Sequence, residues 1–262
     1  MNPTENVRAE RRGRVLEVTL DRPKANAIDA PTSRRMGEVF AEFRDDPELR
    51  VAIVTGGGEK FFSAGWDLKA IAEAGEADLD LGVGGFAGLQ ELPDLNKPVI
   101  AAVNGLAVGG GFELAISADL IVCADTARFA LPEINVGILA DAATIKLARS
   151  VPYHLAMDLL MTGRWMEAEE AQRWGLVRDV VPASELMKTA RELADHLAGG
   201  PPLVFAAVKE VTRETLHLPV QEAFDILNGQ KLPAVAKVNS SNDMMEGARA
   251  FAEKRDPVWT GT

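Results

Sequence analysis

The chain has 262 residues, a formal net charge of −11 and 47% hydrophobic residues. This hydrophobic content is enough to build a full core and excludes a disordered chain, and the length fits one or two domains. The negative charge argues against nucleic acid as a partner, because such binding depends on neutralising phosphates. An anionic ligand would therefore need local basic residues.

Neither a membrane nor a metal is indicated as a partner. No apolar run reaches the ~18 residues of a membrane span, and the polar residues 1–14 contain no apolar stretch of the kind found in signal peptides. The histidines, His154, His196 and His217, have no ligand spacing, and the single cysteine, Cys123, lies in an apolar run. Without a Gly-x-Ser-x-Gly motif, acid–base chemistry would have to use carboxylates. We expect a soluble, cytoplasmic protein with no metal.

The predicted elements alternate between strands and helices along the first half of the chain, which indicates an α/β fold. Asp29 is expected to cap the first helix, with Pro31 in its first turn. A loop rich in Gly, Asp and Glu follows the second helix, and the cluster Gly-Gly-Pro-Pro at 199–202 is the best domain boundary. No internal repeat is visible. The predicted strands are 15–20, 51–54, 99–103, 120–123 and 128–130; the predicted helices are 31–43, one opening at 66–69, 143–150, 154–161, 167–173, 183–198, 201–216 and 219–229; the loop is 74–85.

Three consecutive glycines, Gly109, Gly110 and Gly111, stand between an apolar run and a helix-like run. Glycine lets a ligand approach the backbone closely, and the free N–H groups at a helix start favour an oxygen that gains negative charge. Glu113 lies one short turn inside this helix, and Glu133 follows a later apolar segment. This pattern suggests acid–base chemistry beside a carbonyl. The alternatives are a close-packed glycine turn and a surface carboxylate at Glu133.

Several motifs stand in an order that resembles one enzyme family. Over essentially its whole length the chain is similar to the enoyl-CoA hydratase/isomerase (crotonase) superfamily, and within it to a group of dehydratases. The resemblance implies an α/β fold, a spiral of ββα units over residues 1–200, with a C-terminal helical region over 201–262 that assembles trimers, often paired into hexamers. The motifs are Phe-Ser-Ala-Gly-Trp-Asp-Leu at 62–68, Lys-Pro at 97–98 with Asn-Gly at 104–105, Gly-Gly-Gly-Phe-Glu-Leu at 109–114, Leu-Pro-Glu at 131–133, the stretch 161–177 and Phe-Ala-Glu-Lys-Arg at 251–255; the dehydratase likeness rests on 20–30, 59–69, 85–89 and 251–259.

The resemblance also implies the roles of individual residues. Two backbone N–H donors for a thioester oxyanion fall on Trp66 and Gly110, and two catalytic glutamates fall on Glu113 and Glu133. The substrate is an acyl-CoA thioester, which carries the coenzyme A itself, so no separate cofactor is expected. The remaining positions that are expected to contact CoA or the acyl group are Lys24, Ala25, Ala27, Ala64, Gly65, Asp67, Leu68, Gly109, Asp141, Phe251 and Lys254.

One segment departs from the family pattern. Many members carry a glycine pair before the next helix, where this chain has Ala142 and Ala143. Alanine adds a methyl group and narrows the allowed backbone, so the acyl pocket is expected to differ. Asp141 corresponds to the position that holds water through its backbone in hydratases and acts as a base in dienoyl-CoA isomerases; it could instead cap the helix over 142–150. Three functions therefore remain open: hydration, isomerisation with Asp141 as base, and acyl-CoA binding without catalysis.

Overall fold

The computed structural model describes residues 6–76, 78–229 and 231–262. Within these ranges there are ten strands and eleven α-helices. Strands and helices are interspersed up to β10, and only helices follow. The strands are β1 (Val7–Arg12), β2 (Val15–Leu20), β3 (Val51–Gly56), β4 (Phe61–Ser63), β5 (Val99–Val103), β6 (Leu106–Val108), β7 (Leu120–Ala124), β8 (Arg128–Ala130), β9 (Met166–Glu167) and β10 (Asp179–Val181). The helices are α1 (Ala30–Asp45), α2 (Leu68–Ala74), α3 (Gly110–Ala115), α4 (Asp141–Ser150), α5 (Tyr153–Thr162), α6 (Ala168–Arg173), α7 (Leu186–Ala198), α8 (Pro202–Thr215), α9 (Val220–Asn228), α10 (Pro233–Ser240) and α11 (Asn242–Glu253), and short 3₁₀ helices occupy Phe86–Gly88, Pro132–Asn135 and Ala183–Glu185.

The larger sheet has six strands in the order β1-β2-β3-β5-β7-β10. Its strands from β2 onward run parallel, and β1 pairs antiparallel with β2 at the edge. Every residue of β3 and β5 is buried, as continuous apolar strands inside a parallel sheet should be. The charged residues of β1 are exposed, which protects this edge from pairing with another chain.

The smaller sheet has the order β4-β6-β8-β9, and its first three strands are parallel. The chain steps repeatedly from the larger sheet to the smaller one and then into a helix. The successive units are β3–β4–α2, β5–β6–α3 and β7–β8 followed by the 3₁₀ helix Pro132–Asn135 and α4. The expected spiral of ββα units is therefore confirmed, although the sequence carries no visible repeat.

The sequence-based elements are largely confirmed, with specific misses. The strands predicted at 15–20, 51–54, 99–103, 120–123 and 128–130 are present, and the Asp29 side chain accepts from the Thr32 N–H at the start of α1, as expected of its cap. The short strands β4, β6, β9 and β10 and the edge strand β1 were not predicted. All but β1 have two or three residues, too few for an alternating pattern to be visible, and β1 is polar. The loop predicted at 74–85 overlaps α2 by one residue, because that helix ends at Ala74. Ala77, within the predicted loop, lies outside the described residues.

Helix α7 is attached to the larger sheet by small residues and one ion pair. Ala190 and Ala194 are fully buried, so the helix backbone packs closely. The Arg191 guanidinium donates to both carboxylate oxygens of Glu17 at 2.8 Å, and Arg12 donates to one of them. These donors lower the pKa of the Glu17 carboxyl group, despite its burial.

The C-terminal helices dock on the spiral core through long basic side chains. On α8, the Lys209 ammonium donates to the Asp119 carboxylate at 2.7 Å, and Arg213 donates to the Asn96 side chain at 2.9 Å. Arg50, just before β3, donates to the carbonyl of Ala198 at 3.1 Å and to that of Trp259 at 2.8 Å. None of the helices within the described ranges has the length and apolar character that a membrane crossing requires. The division at residue 200 stays a prediction, since these bonds join the two parts.

We expect Arg50→Met to destabilise the protein by about 1–3 kcal/mol, because partly buried carbonyl groups lose a charged donor. Arg50 reaches both the end of α7 and the C-terminal segment, so the segment around Trp259 should also become accessible to proteases. Thermal unfolding and limited proteolysis measure the two effects. The control is Arg149→Met, since Arg149 is exposed and donates only within its own helix. Equal melting temperatures for the two variants would contradict this attachment.

Candidate active site

The triple glycine forms the turn between β6 and α3. Gly109 has φ 56°, a left-handed conformation that favours glycine, and its N–H donates to the Ala130 carbonyl of β8 at 2.8 Å. Helix α3 begins at Gly110, so the N–H of Gly110 has no intrahelical acceptor. The expected helix start at the glycines is confirmed.

The end of β4 is pressed against this turn at a distance that admits no side chain. A Cβ on Gly65, which has φ 76°, would lie 2.6 Å from the Gly110 nitrogen, and a Cβ on Gly111 would lie 2.2 Å from the Ser63 carbonyl oxygen. Residues 65–66 are thereby fixed beside Gly110. Neither the Trp66 N–H nor the Gly110 N–H donates to another backbone or side-chain group in the part of the chain that the structure describes. Two neighbouring backbone donors remain free for a ligand.

Two aromatic rings lie next to these donors. The Phe86 ring packs on Gly110, where a Cβ would lie 2.3 Å from Phe86 Cε1. Phe86 also stacks on Trp66, with ring centroids 5.6 Å apart and an interplanar angle of 23°. A cavity of about 230 Å³ adjoins this pair. It is lined by Ile28, Asp29, Ala30, Pro31, Trp66, Asp67, Ala70, Ile71, Ala74, Glu76, Asp78, Leu81 and Phe86.

The first carboxyl group, Glu113, is 6% exposed on α3. Its Oε1 accepts from the Ala143 N–H at 2.9 Å and its Oε2 from the Gln90 amide at 3.4 Å. Burial raises the pKa of Glu113, and the Asp141 charge adds to that effect, while these two donors oppose it. Because Ala143 lies in the first turn of α4, the positive end of the helix dipole also faces this carboxylate.

A partly buried lysine organises the surroundings of Glu113. The Lys146 ammonium, on α4, donates to the Gln90 carbonyl at 2.8 Å and to the Ser117 hydroxyl at 2.9 Å. Ser117 donates in turn to the Glu113 carbonyl at 2.7 Å. Burial lowers the pKa of Lys146 to about 8. Lys146, Gln90 and Ser117 were not predicted from sequence, because they belong to no motif and are brought together only by the fold.

The second carboxyl group, Glu133, sits in the 3₁₀ helix after β8 and faces the glycine turn. A Cβ on Gly109 would lie 2.5 Å from its Oε1. Its Oε2 is buried and has no hydrogen-bond partner among the described residues. Burial raises the pKa of Glu133 to about 7, and the charge of Glu113 contributes. The alternative of a surface carboxylate is wrong, since the Oε2 atom of Glu133 is buried.

The structure corrects one expectation for the departing segment and leaves another open. Asp141 does not cap α4: it is the first helical residue, the N-cap position is Ala140, and no side chain makes the capping bond. Asp141 is exposed, whereas Ala142 and Ala143 are buried in ordinary helical backbone. The alanine pair is absent from the lining of the aromatic cavity. Its effect on substrate choice stays a prediction.

The two stretches expected to contact CoA lie side by side. The Ala64 N–H donates to the Ala25 carbonyl at 2.9 Å, and the Ile28 N–H donates to the Gly65 carbonyl at 2.7 Å. Lys24 and Leu68 are exposed. Asp67 is structural as well: its carboxylate caps α2 through the Ala70 N–H at 3.0 Å and accepts from Arg22 at 2.7 Å, and Arg22 also donates to the Ala27 carbonyl at 3.0 Å.

Other expected groups lie outside this arrangement. Phe251 is 88% exposed on α11, and Lys254 ends that helix. No hydrogen bond, ion pair or aromatic contact among the described residues connects either side chain with the glycine turn.

Cys123 is buried, and burial raises the pKa of its thiol to about 12. Residues 6–76, 78–229 and 231–262 contain no group of three His, Cys, Asp or Glu side chains that could hold a metal ion.

Comparison with known proteins places this arrangement in a family. The chain matches the enoyl-CoA hydratase/isomerase family over residues 10–262. It is 59% identical to a carnitinyl-CoA dehydratase of Citrobacter koseri and 58% identical to one of Salmonella typhimurium, each over 259 residues covering 98% of this chain and 99% of the relative.

Solved structures agree with the same assignment. A crystal structure of enoyl-CoA hydratase from Mycobacterium tuberculosis has a TM-score of 0.88 and 38% identity, covering 98% of this chain and 99% of that chain. One of enoyl-CoA hydratase from Bacillus anthracis has a TM-score of 0.88 and 30% identity, covering 98% and 100%. The chain belongs to the enoyl-CoA hydratase/isomerase (crotonase) family.

Proposed function

We propose that this chain is a hydro-lyase that catalyses the reversible dehydration of L-carnitinyl-CoA to crotonobetainyl-CoA and water. The observation that carries the chemistry is the pair of carboxyl groups beside the turn at Gly109 and Gly110: Glu113 is buried, and Glu133 is partly buried with its Oε2 withdrawn from solvent. The substrate is inferred from the carnitinyl-CoA dehydratases that are 58–59% identical to this chain over almost its full length. The chain also resembles those proteins in the segments 20–30, 59–69, 85–89 and 251–259.

The free backbone donors are proposed to bind the thioester oxygen. When a proton leaves Cα, negative charge moves onto this oxygen, and the N–H groups of Trp66 and Gly110, which donate to no other group in the described ranges, are proposed to receive it. Removing one such donor typically lowers the rate by about 10²–10³-fold. The positive end of α3, which starts at Gly110, adds a favourable dipole. Close packing of Gly65 on Gly110 places the two donors near each other.

The two glutamates are proposed to share one proton. In hydration, ionised Glu113 takes a proton from water as the water oxygen bonds to Cβ, and protonated Glu133 delivers a proton to Cα. Dehydration reverses both transfers: Glu133 accepts the Cα proton, and Glu113 protonates the leaving hydroxyl. The surroundings favour this division, because Glu113 receives two N–H donors, whereas Glu133 is buried without a partner for Oε2. Neighbouring carboxyl groups separate their pKa values in this way.

The two alternative functions find less support. Isomerisation would need Asp141 as a base, but this side chain is exposed, whereas Glu113 and Glu133 are withdrawn from solvent. A non-catalytic binder was suggested by the alanine pair. Yet Ala143 contributes its backbone N–H to Glu113, and alanine carries the same N–H as glycine.

We also propose that the chain assembles as a trimer or as a hexamer of two trimers, in the cytoplasm. The C-terminal helices carry apolar side chains that nothing in the described chain covers. Phe251 and Lys254, exposed at the end of α11, are proposed to contact CoA in this assembly. The exposed apolar residues of the region include Val208, Leu216, Val220, Phe224, Met244, Met245 and Phe251.

Glu113→Gln and Glu133→Gln are each expected to lower kcat by about 10²-fold or more, the usual contribution of a general acid–base group. Glutamine keeps the size of the side chain but cannot exchange the proton. Dehydration of carnitinyl-CoA and hydration of crotonobetainyl-CoA, followed by the thioester absorbance, measure the effect, and calorimetry should show little loss of CoA-ester binding. Glu73→Gln, an exposed change on α2, is the control. Near-normal turnover in either active-site variant would disprove its assigned role.

Glu133→Gln is also expected to change how stability depends on pH. The pKa of Glu133 is about 7 in the folded protein and about 4.3 when unfolded. Between these values the folded protein binds more protons, so the free energy of unfolding falls as pH rises. Relative to the native chain, the glutamine variant should gain on the order of 1–2 kcal/mol between pH 4 and pH 8, since partial solvent contact screens the effect. Denaturant unfolding across this pH range measures it, and a constant difference would contradict it.

Light scattering at micromolar concentration should give the mass of a trimer or a hexamer. The physical reason is that helices α8, α9 and α11 cannot bury their apolar side chains within one chain. Phe224→Glu places a charge on this surface and should shift the mass toward the monomer, while Glu73→Gln should leave it unchanged. A stable monomer of the native chain would contradict the proposed assembly.

A further inference from the structure

We propose that the cavity beside Trp66 and Phe86 is a binding subsite for a quaternary ammonium group, and that it selects the cationic acyl chain. This inference rests on the proposed function, which supplies carnitinyl-CoA as the substrate. The cavity of about 230 Å³ is bounded by α2, by the segment 28–31 and by the side chains of Leu81 and Phe86. It is separate from the two glutamates, which do not line it.

The cavity adjoins Trp66, one of the two residues proposed to bind the thioester oxygen. Trp66 offers its backbone N–H to the thioester oxygen, and its side chain forms part of the cavity wall. Phe86 touches Gly110 on one side and the cavity on the other. In carnitinyl-CoA the ammonium nitrogen is bonded to the third carbon beyond the thioester carbon. A chain whose thioester oxygen is held at Trp66 and Gly110 can therefore direct its cation into the adjoining cavity.

The aromatic pair suits a cation that has no hydrogen to donate. A trimethylammonium group presents only methyl groups, so it cannot satisfy a polar acceptor by a conventional N–H bond. Proteins bind such groups against the faces of aromatic rings, and Trp is the most effective of these. Trp66 and Phe86 stack with their ring planes inclined by 23°, and the apolar residues Ile28, Ile71 and Leu81 complete the wall for the methyl groups.

The charge around the cavity is negative. Four acidic residues are among those that line it, Asp29, Asp67, Glu76 and Asp78. Arg22 neutralises the first two in part, with contacts of 3.0 Å and 2.7 Å, and Arg34 contacts Asp78 at 2.9 Å. Glu76 forms no ion pair with any residue in the described ranges. The carboxylates thus outnumber the guanidinium groups that pair with them, which favours a cation over a neutral chain.

The test compares two substrates of the same shape. Carnitinyl-CoA and 3-hydroxy-5,5-dimethylhexanoyl-CoA differ only in that a tert-butyl group replaces the trimethylammonium group. The native enzyme should have the higher kcat/KM for the cation. Trp66→Leu should lower this preference by up to about 30-fold, the upper range of a desolvated cation–π contact, whereas Trp66→Phe should keep most of it. Glu76→Gln should lower it by about two- to five-fold, and added salt should reduce that effect.

Controls separate this inference from the proposed function. Glu73→Gln lies on α2 outside the cavity lining and should leave the preference unchanged. The Glu133→Gln variant, in which turnover is slow, allows the preference for the cationic ester over the neutral one to be measured as binding alone. Calorimetry on this variant gives the dissociation constants of both esters. Equal losses on both substrates in Trp66→Leu, or equal affinities for the two esters in the native pocket, would overturn the subsite. Turnover of the neutral ester would still support the hydro-lyase. Preferential binding of the cationic ester without turnover would instead support the subsite and contradict the hydro-lyase.

Discussion

The candidate site depends on backbone contacts that exclude side chains. Gly65 and Gly110 approach so closely that a Cβ on Gly65 would lie 2.6 Å from the Gly110 nitrogen. The contact joins the end of β4 to the start of α3, and it thereby places the Trp66 and Gly110 N–H groups next to each other. The same turn carries Gly109, where a Cβ would strike the Glu133 carboxylate at 2.5 Å. Glycine is needed at these positions because a Cβ would clash with the neighbouring group. At Gly65 and Gly109 it is also needed because φ is positive.

Burial then makes the chemistry sensitive to small differences in hydrogen bonding. Both Glu113 and Glu133 lose solvent, which raises the pKa of each carboxyl group. Only Glu113 is compensated by the Ala143 N–H at the start of α4. An ionised carboxylate with few hydrogen-bond partners is costly in a protein interior, so the proton of the proposed mechanism is favoured on Glu133, whose Oε2 is buried without a partner among the described residues.

The sequence predicts the main frame of this fold better than its details. The buried strands β3, β5 and β7 are apolar runs in the sequence. The start of α1 is predicted by its capping residue, Asp29, and by Pro31 in its first turn. The family motifs also predict which glycines and glutamates meet. The strands of the smaller sheet have two or three residues and depend on pairing with distant partners, so no local pattern encodes them. Gln90, Ser117 and Lys146 escaped prediction for the same reason: their bonds join residues up to 56 positions apart.

The repeated ββα step explains how one turn after another contributes to a single site. The unit β3–β4–α2 supplies the Trp66 amide, and β5–β6–α3 supplies the Gly110 amide and Glu113. The third unit, β7–β8 with its following helices, supplies Glu133 and the first turn of α4. Trp66, Gly110 and Glu133 each follow the end of a strand of the smaller sheet, and parallel strands bring those ends to one edge. Where the family resemblance predicts a glycine pair, this chain has Ala142 and Ala143, and the Ala143 N–H donates to Glu113. Since alanine and glycine donate the same N–H, the substitution can change the shape beside Glu113 while preserving the hydrogen bond that holds its charge.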